Sequence, residues 1–264
     1  MPAEMKLLVY TCVFGDYDKV FSPVRPDPGV EYVAITDQED FDVPGWKTKL
    51  VDPSGFASAR LANRYYKILG HEVFAEFDAS VYVDGNIRVL SNVSGFFKRL
   101  QGTDAALGLY GHPARKTVSE EVAQCAQRGQ VASEAAATAE LEAYRRQGFP
   151  DDGGLIEASI LLRDHRHPEL GAAMRQWWEL FETYQSRDQF SLPFVLWKTK
   201  VPRIVFPESF RDPNPYFGCY PHVRTIGSSA YVEVTAKSYD SFFYQGVRWL
   251  WHLKWKLQRL LRPR

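Results

Sequence analysis

Three residues near the middle of the chain, Asp84-Gly85-Asn86, have the types and spacing to hold a divalent cation against a diphosphate. Oxygen donors of this kind suit magnesium or manganese. The residues before them, Ser80 to Val83, read as a short β-branched and aromatic strand. In an open α/β sheet, ligands collect beyond the carboxyl ends of the strands, so an acid in that place faces a crevice. The same triplet also makes an ordinary strand-ending turn, because Asp-Gly is a strong turn signal.

Other candidates flank this centre. Arg60, Arg64 and Lys67 recur at spacings of four and three, which puts them on one helical face. Such a row either meets phosphate or is a solvated face. Glu157 interrupts an apolar run from Leu155 to Arg163 and is either an edge-strand acid or a pocket carboxylate. His165 and His167 flank Arg166 beside Pro168 and read as a basic surface turn, not a metal site.

The elements that must position these residues alternate as in an α/β domain. Leu7 to Phe14 is a nearly continuous apolar run, as in a strand covered on both faces. Glu31 to Thr36 and Lys47 to Val51 read as further strands, and Ser58 to Leu69 as a helix with Ser58 as its N-cap. After the central strand, the pattern predicts a helix over Asn92 to Leu100 and a buried strand over Ala105 to Tyr110. An Ala- and Glu-rich helical stretch follows from Val118 to Arg146, divided near Gly129. Leu155 to Arg163 is a strand, Pro168 to Tyr184 a helix, and Arg203 to Phe206 a last strand, whereas 207–241 looks irregular.

With 264 residues and 45% hydrophobic content, one large domain has ample core. The formal charge is zero, but Tyr244 to Arg264 holds six Arg or Lys and no acid, so the remainder is acidic. That asymmetry describes an acidic body with a basic tail and argues against a nucleic-acid partner. Three scattered cysteines, Cys12, Cys125 and Cys219, argue for a reducing compartment, and the first apolar run is too short to span a bilayer. The expected location is cytoplasmic, with a peripheral position at the inner face of the membrane. Absent G-x-G-x-x-G, G-x-x-x-x-G-K-[ST] and G-x-S-x-G motifs leave dinucleotide oxidoreductases, P-loop NTPases and elbow-type hydrolases unsupported.

Taken in order, several stretches resemble one family. They include Tyr10-Thr11 with Phe14-Gly15-Asp16-Tyr17-Asp18, Ile35-Thr36-Asp37, and Asn63-Arg64-Tyr65-Tyr66-Lys67-Ile68. Tyr82-Val83-Asp84-Gly85-Asn86-Ile87, Gly154-Leu155-Ile156-Glu157, Trp177-Trp178-Glu179 and Ser186-Arg187-Asp188-Gln189 follow. The ordered set is similar to a glycosyltransferase-like family, once catalogued only as a domain of unknown function, of bacterial polysaccharide loci and plant Golgi proteins. That resemblance implies a GT-A-like single α/β domain over 1–243, with a central, mostly parallel sheet flanked by helices. A basic, aromatic amphipathic tail over 244–264 completes the chain.

By the same resemblance, the protein would be a nucleotide-sugar-dependent glycosyltransferase of polysaccharide biosynthesis, acting on a glycan or lipid-linked glycan. Asp84 and Asn86 would occupy the place of a metal-binding D-x-D motif for Mn2+ or Mg2+, with Asn86 replacing the second carboxylate. Tyr10, Thr11, Asp18 and Asp37 would line the donor, with Arg64 and Lys67 on its diphosphate. Glu157 and Asp188 are the two carboxylates available as base in an inverting reaction. In a retaining one, Asp188 and Gln189 would bind the donor sugar. Alternatives of other classes are a catalytically silent nucleotide-sugar or glycan-binding protein and a nucleotidyltransferase. The loop Gly15-Asp16-Tyr17-Asp18 is acidic where the latter needs basic residues.

The tail is read from its periodicity alone. Over Val247 to Leu261, leucines 250, 253, 257, 260 and 261 share an arc of roughly a third of a turn at 100° per residue. Arg248, His252, Arg259 and Arg262 fall opposite, with Trp251 and Trp255 at one border. This pattern suits a helix lying on an anionic membrane surface, the alternative being leucines packed on the domain or on a second copy.

Overall fold

The computed structural model describes residues 5–131, 133–211, 213–223 and 228–260, with side chains as far as residue 254 in the last segment. Its strands are β1 (Leu7–Val13), β2 (Val30–Thr36), β3 (Lys47–Leu50), β4 (Ala79–Val83), β5 (Ile87–Val89), β6 (Leu107–Gly111), β7 (Ile156–Asp164), β8 (Arg203–Phe206) and β9 (Phe217–Cys219). Seven of them form a central sheet in the order β3-β2-β1-β4-β7-β6-β8. Pairing is parallel throughout except where β7 meets β4 and β6. The sheet is mostly parallel, as the sequence predicts.

From β1 the chain steps outward to β2 and β3, then returns to the other side of β1 as β4. This reversal opens a crevice beyond the carboxyl ends of β1 and β4. Because β7 is antiparallel, its first residues arrive at the same edge.

Both faces of the sheet are covered, which is why β1 reads as a continuous apolar run. Leu8, Tyr10 and Cys12 face helices α1 (Ala59–Ile68), α6 (Leu170–Tyr184) and α7 (Asp188–Thr199). Val9 and Val13 face the opposite core with Val81, Phe96 and Phe217. Ser58 caps α1, its hydroxyl accepting from Leu61 N at 3.1 Å. Between α1 and β4 lies α2 (Gly70–Val73), and after β5 comes α3 (Ser94–Phe97). Helices α4 (Val118–Gln127) and α5 (Glu134–Arg146) bury Val122 and Tyr144 against Phe190 and Phe194 of α7.

Several expectations are corrected. The helix over Asn92 to Leu100 shortens to α3, because Arg99 and Leu100 continue only in i→i+3 turns. The stretch 207–241 is not irregular throughout: it contains β9, paired with β5, and helix α8 (Ser229–Lys237). Three residues pairing across the chain leave no local periodicity to read. The expected turn forms at His165 and Arg166 with Arg166 exposed, but His165 is half-buried, its Nε2 lies 2.7 Å from Ser80 Oγ and burial lowers its pKa to about 4. The last helix, α9 (Phe242–Leu260), begins before the expected Val247. The side chains of Trp255, Leu257, Arg259 and Leu260, and all of Leu261 and Arg262, lie outside the described residues.

Candidate active site

The crevice at the strand reversal is a cleft of about 880 Å³. Its floor is a cluster of charges brought by three elements. Lys67, in the last turn of α1, is almost wholly buried and places Nζ 3.1 Å from Asp84 Oδ1 and 2.7 Å from Asp188 Oδ2. Arg64, one turn earlier, brings Nε to 3.2 Å from the same Asp188 oxygen. Tyr82 donates its hydroxyl to Asp84 Oδ1 at 2.8 Å. Burial alone would raise the pKa of Asp188, but Arg64 and Lys67 hold it far below the ordinary carboxylate range. The same contest, with Lys67 the stronger opposing charge, lowers that of Asp84.

The Asp84-Gly85-Asn86 triplet is both things its sequence offered. Ile87 N donates to Asp84 O at 2.9 Å, which makes a turn, yet no hairpin follows because β5 pairs with β9. Asp84 still faces the cleft. Gly85 has a packing reason: a Cβ there would meet Val13 Cγ2 at 2.8 Å and Asp18 Cβ at 3.1 Å. Only glycine lets the loop after β1 close over the end of β4.

Asn86 departs from expectation. Its Nδ2 donates to Tyr220 O at 2.8 Å, and the residue lines a smaller neighbouring cavity of about 460 Å³, not the cleft. The structure therefore does not bring Asn86 and Asp84 together around one ion.

Tyr10, Thr11 and Asp37 also lie outside the cleft lining. Tyr10 points beneath α1, where its hydroxyl donates to Lys67 O at 3.1 Å and accepts from Arg163 Nη1 at 2.6 Å. Arg163 Nη2 reaches the same carbonyl at 2.8 Å. Together they fasten the backbone of Lys67, so Tyr10 positions a site residue without reaching the site. Gly70 makes room for this ring, because a Cβ would fall 1.9 Å from the Tyr10 oxygen. Thr11 is buried on the opposite face of the strand. Asp37 accepts from Gly15 N at 2.9 Å and steadies the loop from outside.

The second half supplies the far wall. Glu157, near the start of β7, is buried, and its Oε1 accepts from Arg211 Nε at 2.6 Å. Its Oε2 has no hydrogen-bond partner among the described residues. Asp188 opens α7, and its carbonyl accepts from Trp177 Nε1 at 3.0 Å. Gln189 donates to Ile156 O at 3.1 Å and accepts from Arg187 Nη2 at 3.0 Å, which ties the start of α7 to β7.

Two lining residues escaped sequence reasoning. Arg211 and His222 come from the stretch read as irregular. His222 Nδ1 lies 2.8 Å from Asp18 Oδ1 across 204 residues of chain. Burial would lower the imidazole pKa, but the hydrogen bond and charge of Asp18 outweigh it and raise it. No local pattern marks such a pair.

The charged cleft lies at the switch point of a mostly parallel α/β sheet, where proteins of this architecture bind ligands. The chain belongs to the TOD1/MUCI70 glycosyltransferase-like domain family, whose model matches residues 29–213. No curated protein matches the sequence. Among solved structures, it is similar to the apo bifunctional glycosyltransferase WbbM at 9% identity and TM-score 0.48, covering 78% of this chain and 40% of that one. It is also similar to apo mouse xyloside xylosyltransferase 1 at 11% identity and TM-score 0.45, covering 77% of this chain and 85% of that one. The chain thus spans less than half the length of WbbM.

Proposed function

We propose that the protein transfers a sugar from a nucleotide-diphosphate donor to a hydroxyl of a glycan or lipid-linked glycan in polysaccharide biosynthesis. The observation that carries this reading is the cluster of buried Lys67 and Asp188 with half-buried Arg64 and Asp84 on the cleft floor, at the ligand edge of the sheet. A departing diphosphate needs preorganised positive charge, and Arg64 and Lys67 offer it.

Those two cations already face carboxylates. Among the described lining residues, Arg60, Arg64, Lys67, Arg187 and Arg211 are balanced by Asp16, Asp18, Asp84, Glu157 and Asp188. A diphosphate entering a formally neutral cleft calls for further positive charge. Asp84 and His222 line the same cleft, and Asp18 orients the imidazole through Nδ1, the arrangement common behind metal-bound histidines. Among the described residues no three His, Cys, Asp or Glu converge as a complete metal cage. Phosphate oxygens and water commonly complete a one-carboxylate site for magnesium or manganese, so Asp84 fits, and His222 would add a nitrogen donor, uncommon for magnesium but acceptable to manganese, in the role expected of Asn86. Such an ion, when bound, supplies charge to the leaving diphosphate.

In the transfer, the acceptor oxygen bonds to the anomeric carbon as that carbon's bond to the diphosphate oxygen breaks. The acceptor proton goes to Glu157, whose Oε1 is held by Arg211 while its buried Oε2 has no hydrogen-bond partner among the described residues. Asp188 is a poor base because Arg64 and Lys67 favour its ionised form. It orients the two cations, and Gln189 beside it, its amide engaged by Ile156 O and Arg187, holds the start of α7 at the cleft.

Incubation with a panel of nucleotide sugars, with and without glycan acceptors, tests the proposal by nucleotide-diphosphate release. A silent nucleotide-sugar-binding protein is the second reading, favoured by the pairing of Asp18, Asp84, Glu157 and Asp188 with a cation or His. Saturable donor binding without release on any acceptor would establish that second reading.

A further inference from the structure

Helix α9 rests on α8 by one face. The Trp251 ring lies 5.3 Å from that of Tyr231, and Arg248 Nη1 donates to Ser238 Oγ at 3.2 Å. The Lys237 ammonium sits 5.3 Å from the Tyr244 ring. Tyr244, Val247, Arg248 and Trp251 recur at helical spacing, and all four are half-buried.

The opposite face is bare and apolar. Phe242 is 90% exposed, Phe243 71%, Trp249 63%, Leu250 58% and Leu253 40%. At 100° per residue these five fall within an arc of about 120°. The alternative in which the leucines pack on the domain is therefore not the arrangement of Leu250 and Leu253. A contiguous patch of large apolar side chains marks an interaction surface more often than free solvent surface. No described helix is long and apolar enough to cross a membrane.

We infer that α9 docks in the interfacial plane of an anionic lipid bilayer, through Phe242, Phe243, Trp249, Leu250 and Leu253. Charge selects this occupant. Tyr244 to Arg264 carries six Arg or Lys and no acid, and exposed Lys254 borders the patch. A second copy would set the same positive charges against each other, whereas anionic headgroups neutralise them. Phenylalanine, tryptophan and leucine beside lysine suit the boundary between headgroups and acyl chains. The inner face of the same helix lends Arg248 to the smaller cavity, which shares Ser159, Arg211 and His222 with the cleft. A surface-bound helix would hold the cleft one cavity from the lipid. The inference stands whether or not the cleft transfers sugar.

Flotation of the full-length protein with vesicles tests it. The protein should float with phosphatidylcholine mixed with phosphatidylglycerol at low salt, release as salt rises, and ignore phosphatidylcholine alone. The double variant Trp249→Glu, Leu253→Glu should lose at least roughly tenfold in vesicle affinity. Its urea midpoint should stay unchanged, because both side chains point away from the domain. Three results would overturn the inference: equal flotation by the double variant, equal binding to neutral vesicles, or a stable dimer that fails to float and that Trp249→Glu dissociates.

Discussion

Lys67 and Asp188 form a buried ion pair at 2.7 Å, with 2% and 8% of their side chains exposed. Taking two charges out of water is costly, and the pair persists because Asp84 also meets the ammonium while Arg64 also meets Asp188. The site is thus part of what holds α1, β4 and α7 together.

Lys67→Met should destabilise the fold by about 3–5 kcal/mol, because it leaves buried Asp188 and half-buried Asp84 without their shared cation. Adding Asp188→Asn should recover part of that loss, since one stranded charge is then removed. Urea unfolding of both variants checks this. Additive losses would mean that the pair is not coupled.

Manganese or magnesium should strengthen nucleotide-diphosphate binding, and Asp84→Ala or His222→Ala should each abolish the gain. Asn86→Ala should retain it, because the Asn86 amide is spent on Tyr220 O. Calorimetric titration with and without a chelator distinguishes the three variants. Loss of the gain in Asn86→Ala alone would restore the pairing expected from sequence.

Glu157→Gln should lower turnover by two or more orders of magnitude, roughly the worth of a general base, with donor affinity little changed. Asp188→Asn should instead weaken donor binding as well, because it frees Arg64 and Lys67 from their shared anchor. Steady-state kinetics and donor titration on both variants decide the assignment. A full-rate Glu157→Gln enzyme ends its candidacy.

Glu140 should make stability depend on pH. Burial raises its pKa from the ordinary 4.5 to about 7, against opposing hydrogen bonds from Ser186 and Tyr144. Between those values the native state holds a proton that the unfolded chain has released, so the contribution is full below 4.5 and is lost as pH rises through about 7. Relative to Glu140→Gln, the wild type should lose roughly 3 kcal/mol of unfolding free energy across that window. Parallel pH curves for the two proteins would show that Glu140 titrates normally.

What the sequence determined by itself rests on short-range physics. The apolar run of β1, the Ser58 cap, the strand ending at Asp84 and the amphipathic period of α9 each depend on neighbours a few residues away, and each is present. So the cleft's position and its first charged residues, Arg64, Lys67 and Asp84, were legible. The tertiary structure alone decided where the remaining side chains point. Tyr10 lies in a strand covered on both faces, and only the docking of α1 puts the Lys67 carbonyl, not a ligand, above its hydroxyl. Asn86 is drawn away by a carbonyl 134 residues distant, and His222 is brought in to Asp18 from 204 residues away. Such partnerships depend on how distant segments pack, and local residue patterns carry no record of that.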